Sequence, residues 1–216
     1  MLFNASVEPI PQYLETIQEV YDKKTYKRIK SKFDFLINHL TKIWPAKADS
    51  IKSKLNANDG GLKANIMVDK FGLFKDLREF ASELEQRLIA EAGVDVDISP
   101  FAHLLNLSDT DGVCLPFRFA HPLQLEIPGR SYPFPVSSSA NLEKELELLN
   151  KHLKVERTFK ITHLPEFIEA SSKQIEDFEK EYAIDPSFWI KFGFVVLRTL
   201  NNTARKYKLP IIFHYI

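Results

Sequence analysis

Phe188-Trp189-Ile190-Lys191-Phe192-Gly193-Phe194-Val195-Val196-Leu197-Arg198-Thr199-Leu200 is followed, after a break at Leu209-Pro210, by Ile211-Ile212-Phe213-His214-Tyr215-Ile216. Asp185-Pro186 reads as a cap and first position, so a helix starts there and runs to about Tyr207. Phe188, Trp189, Phe192, Val195, Val196 and Leu200 spread over a broad arc of it, which places that helix at the centre of a core. Proline ends it, and the short apolar run that follows suits a strand. A buried helix feeding a final strand predicts an α+β fold.

Working outward, further apolar stripes predict more helices. Leu142, Leu146, Leu149 and Leu153 form one, capped by a serine of Ser137-Ser138-Ser139 or by Asn141. Pro165 opens another, with Leu164, Ile168, Ile175, Phe178 and Tyr182. Phe74, Leu77, Ala81, Leu84 and Leu88 mark a helix over about 71–92. Ile29, Phe33, Leu36, Leu40 and Ile43 mark a long one, read as continuous from near Tyr13 to Trp44-Pro45, where the residue before proline resists helical geometry. Shorter helices are expected near 47–55 and 99–107. Alternation predicts strands at 62–68, 94–98, 117–119, 123–127 and 155–161. Pro116, Pro122, Pro128, Pro133 and Pro135 confine the middle of the chain to edge strands or extended loops. The expected architecture is predominantly helical, about half helix, with a small mixed or antiparallel sheet and helices on one side. Residues 1–216 read as a single globular domain. Asn58-Asp59-Gly60-Gly61 marks a possible subdivision into a helical part, 1–57, and an α+β part, 62–216.

The 216 residues carry 29 basic and 29 acidic side chains and are 44% hydrophobic, which excludes dominant disorder. The first 70 residues hold 12 basic and 8 acidic groups, the rest 17 and 21. The one cysteine forms no internal disulfide, and no apolar run is long enough to span a bilayer, so a cytoplasmic setting is expected. The sequence has no P-loop, no dinucleotide fingerprint and no multi-cysteine zinc site, so no cofactor is implied by motif. It has neither a nucleophile elbow nor a zinc-protease motif. No metal site is read with confidence.

The remaining candidates are sparse. Asp95 and Asp97 share one face of an expected strand, a spacing that suits a divalent cation. His103 and His121 flank Cys114, and a Cys-His pair can make a thiolate nucleophile. These five are the candidate catalytic residues, set against wet-face and buried-core readings. Lys23, Lys27 and Lys30 fall on the helix face opposite the Ile29–Ile43 stripe, with Arg28 beside them, a ridge that suits phosphates or an acidic partner. Arg130, Tyr132 and Phe134 form an extended aromatic segment that suits a pocket wall or a partner's edge. His214 in the apolar final strand reads as a neutral core residue. The function expected from this balance is a non-enzymatic binding or regulatory module with a protein or small-molecule ligand. One alternative is a metal- or small-molecule-dependent enzyme using Asp95, Asp97, His103 and His121. Another is a binder of nucleic acid or an acidic partner through residues 23–32, which the even charge balance argues against for nucleic acid. The oligomeric state is left open.

Overall fold

Phe3, Ala5 and Val7 alternate with Asn4 and Ser6, and that alternation builds β1 (Phe3–Val7). The computed structural model describes residues 3–56, 61–68, 72–92, 99–155 and 187–215. After β1 come α1 (Ile10–Val20), α2 (Lys23–Ile43), a 3-10 turn at Pro45–Lys47, α3 (Ala48–Leu55) and β2 (Ala64–Val68). Then follow α4 (Lys75–Ala92), α5 (Ala102–Leu105), β3 (Asp111–Leu115), β4 (Leu123–Leu125) and β5 (Phe134–Ser138). The final elements are α6 (Ser139–Leu153), α7 (Phe188–Tyr207) and β6 (Ile211–Tyr215). Among the described residues the fold is α+β with seven α-helices and one six-stranded sheet.

The sheet runs β2-β1-β6-β3-β5-β4. Its pairs are antiparallel except β3 with β5, where Val113 faces Val136. β6 lies in the middle, with Val7 opposite Ile211 on one side and Val113 opposite Ile212 on the other. As expected, a buried helix leads into a C-terminal strand. Lys208 ends α7 in the left-handed conformation at φ 57°, and the chain turns directly into β6.

Helices cover both faces of the sheet, not one side only. Phe3, Ala5, Cys114, Ile211 and Phe213 pack under α4, α6 and α7. Val113, Leu115, Phe134, Val136 and Ile212 pack under α1, α2 and α3. Every residue of β5 is buried, so both of its faces need a cover. α7 lies between α4 and α6. Gly193 allows that approach, because a Cβ there would stand 2.9 Å from the Leu73 carbonyl oxygen.

Three sequence expectations change. The helix read from Tyr13 to Trp44 is two helices. Asp22 breaks it by capping α2, its carboxylate accepting the N–H groups of Lys24 at 2.8 Å and Thr25 at 3.0 Å. Residues 117–119 are not a strand, since Ser138 donates its hydroxyl to the Phe117 carbonyl and Asn141 its amide to that of Phe119. β5 is no edge despite Pro135, because it sits between β3 and β4. The expected strands at 94–98 and 155–161 and the helix opened by Pro165 lie outside the described residues, apart from Val155.

Candidate functional site

The basic helix and the Arg130–Phe134 segment meet. Lys32, at the end of the basic run, reaches from α2 to β3 and places its Nζ 2.6 Å from Asp111 Oδ1. Arg130 takes the other oxygen, Asp111 Oδ2. Lys32 also lies over the buried Phe134 ring at 5.1 Å. The Arg130 guanidinium stands 5.6 Å from the Tyr132 ring and 5.8 Å from that of Phe134. Burial pulls the Lys32 ammonium below the ordinary lysine range, while Asp111 pulls it back. His214 adjoins the cluster, its Nε2 3.4 Å from the Tyr21 hydroxyl. Burial and the Lys32 charge hold it down to about 4, so it is uncharged at neutral pH. Lys23, Lys27 and Arg28 stay exposed on α2, whereas Lys30 pairs with Asp34 at 2.7 Å.

Among the described residues the catalytic candidates build no reactive pair, although His121 is near enough for its charge to act on His103. His103 is buried in α5 and is fully engaged. Its Nδ1 accepts the Ser138 N–H at 3.1 Å, so the proton sits on Nε2, 3.3 Å from the Ala120 carbonyl. Burial lowers its pKa further from the ordinary histidine value. Cys114 is fully buried in β3, and burial pushes its thiol well above the ordinary range, away from thiolate chemistry. His121 is exposed. Asp95 and Asp97 lie outside the described residues. Among the described residues no three of His, Cys, Asp and Glu gather closely enough to hold a metal ion.

A groove that the sequence reading missed lies between α4 and the start of α7. Asp76, Glu79, Phe80 and Glu83 form one wall, and Trp189 and Ile190 the other, around about 250 Å³. Leu77, Ala81 and Leu84 bury the opposite side of α4, beside Phe74 just before it. That leaves Asp76, Glu79 and Glu83, spaced three and four residues apart, in a row along the outer face. The signal was present as acidic residues at helical spacing, but such a pattern is ordinarily a solvated face. Asp109 anchors α4 by accepting the Phe74 N–H and the Arg78 guanidinium, both at 2.6 Å.

Among the described residues no helix is long and apolar enough to cross a membrane. A protein-family model matches residues 55–213, which is 159 of the 216, and its family is described as "Putative DNA-mimic protein". No curated protein and no solved structure matches the chain.

Proposed function

The chain belongs to this DNA-mimic family, and from that premise we propose that it binds a DNA-binding protein on the surface which that protein uses for DNA. The family match carries the reading, together with where it begins. Residues 1–54, outside the match, hold 10 basic and 6 acidic side chains, while residues 55–216 hold 19 and 23. The acidic excess therefore belongs to the matched part.

Within that part, the row Asp76, Glu79 and Glu83 is the surface best suited to the task. An α-helix rises about 1.5 Å per residue, so these carboxylates step about 4.5 and 6 Å along its axis. One DNA strand carries a phosphate about every 3.4 Å. A partner whose arginines and lysines grip phosphates thus meets a sparser row of carboxylates, in which Glu79 is shared with Lys75 in an exposed 3.6 Å pair that such a partner can displace. Phe80, Trp189 and Ile190 add apolar lining that DNA lacks, and aromatic side chains of this kind anchor protein interfaces. The role is one of binding. Enzymatic use of His103 gains no support, because both of its ring nitrogens face partners of the fold.

The test immobilises the full chain and offers it proteins pre-selected on double-stranded DNA, then elutes with a synthetic duplex. At least one protein is expected to be retained, released by the duplex, and retained less as salt rises. The triple variant Asp76→Asn, Glu79→Gln, Glu83→Gln is expected to lose it. Retention that duplex does not displace overturns the competition. Retention unchanged in the triple variant overturns the groove as the surface.

A further inference from the structure

We propose that Arg28, Lys32, Arg130 and Tyr132 form a second site, which takes a nucleotide unit: a phosphate with its aromatic base. The site lies across the sheet from the acidic groove, since α2 and Phe134 belong to the other core. It does not depend on the groove's role.

The first support is charge. Lys32 and Arg130 share the single carboxylate of Asp111, which leaves one positive charge in excess. Arg28 stands one turn before Lys32 on α2, close enough for its charge to act on the Lys32 ammonium, and it is exposed. Two positive charges therefore remain uncompensated at one place. The nearby Lys30–Asp34 pair is neutral and changes nothing. An anion is the complement that such a place lacks, and guanidinium groups match phosphate oxygens in pairs.

The second support is the aromatic arrangement. Phe134 is fully buried and fixes one side of the Arg130 guanidinium. Tyr132 lies on the guanidinium as well, yet the residue is 68% exposed. A large aromatic held against an arginine and left open to solvent is a stacking platform for a planar base. A base on Tyr132 stacks beside the Arg130 guanidinium, which is then within reach of its phosphate. An acidic peptide would use the charge but leave the ring uncovered, so the nucleotide satisfies both features.

The experiment titrates the full chain with fluorescein-labelled oligothymidylate by anisotropy, with thymidine monophosphate by NMR, and with a duplex of equal length. Binding of the single strand or of the monophosphate is expected, weakening as salt rises. Saturation by the monophosphate identifies a free nucleotide as the ligand, and binding of the strand alone identifies single-stranded nucleic acid. Tyr132→Ala and Arg28→Gln change exposed side chains and leave the Asp111 cluster intact. Each is expected to weaken binding about fivefold or more, in line with the loss of one stacked base or one phosphate contact. Failure of both probes to bind, or binding that both variants leave unchanged, overturns the site. Equal binding of duplex with no effect of Tyr132→Ala overturns it as well.

Discussion

Glu145 and His103 meet through the backbone and not through their two titrating groups. The Glu145 carboxylate accepts the His103 N–H at 2.9 Å and the Leu104 N–H at 2.7 Å, while the His103 ring turns away to Ser138 and Ala120. α6 thereby holds the short α5 at its start, with the sole cysteine beneath.

The first prediction concerns pH. Burial pushes Glu145 up to about 7 from its usual 4.5, and holds His214 down to about 4 from its usual 6.5. The Glu145 contribution to stability is complete below pH 4.5 and is lost as pH rises through 7. The His214 contribution is present above pH 6.5 and is lost as pH falls to 4, and His103 adds to it with the same sign. The opposing slopes are each worth about 3 kcal/mol. Glu145→Gln is therefore expected to gain stability steadily from pH 4 to 6.5. His214→Gln is expected to lose it from pH 4.5 to 7. Urea denaturation across that range measures both, and parallel profiles for wild type and the two variants refute the assignment.

Asp109 is the second. Asp109→Asn keeps a side-chain acceptor for the Phe74 N–H but strips the charge that pairs with Arg78, whose Nη1 already has no hydrogen-bond partner among the described residues. A half-buried guanidinium left without its carboxylate is expected to cost about 3 kcal/mol. Chemical denaturation reads the loss. A variant as stable as wild type means that water replaces the carboxylate.

Gly193→Ala tests the packing of α7 on α4. Alanine favours a helix by about 1 kcal/mol over glycine. Its Cβ would nevertheless meet the Leu73 carbonyl at 2.9 Å, and backbone has little room to yield. The net expectation is destabilisation by about 1–2 kcal/mol, measured as a lower Tm. A higher Tm means that the two helices slide apart at no cost.

Cys114 provides a clean negative. Its thiol is expected to resist a disulfide reagent in the native protein and to react fully in denaturant, because it is inside β3 beneath α6. Native labelling within seconds contradicts the burial. Cys114→Ala is expected to retain any binding activity.

How much of this was legible varied with the kind of signal. The Leu142–Leu153 and Phe74–Leu88 stripes gave α6 and α4 because one face of each is buried and 3.6-residue periodicity survives in sequence. β3 was hidden, because Gly112-Val113-Cys114-Leu115 is buried on both faces and does not alternate. β5 was hidden by Pro135, whose missing N–H argues against an inner strand, and by three consecutive serines, of which Ser138 ends the strand and caps α6. The Asp22 break was masked by the basic run after it. Arg28, Arg130, Tyr132 and Phe134 were found one by one, but neither Lys32 as a site residue nor the grouping was. Lys32 and Phe134 are about a hundred positions apart, and only the placement of α2 over β5 brings them together.

The central position of β6 bears on how the protein is made. Phe3 pairs across from Tyr215, 212 positions later, and β6 also bridges β1 to β3. A nascent chain can pair β1 with β2 early, yet the two halves of its sheet stay apart until translation delivers residues 211–215. Until then β1 and β3 each present an unpaired edge, the kind of surface that recruits other strands. Such long-range closure is slow. The burden on chaperones therefore lasts until residues 211–215 have emerged, and a chain cut short before them would be primed to aggregate.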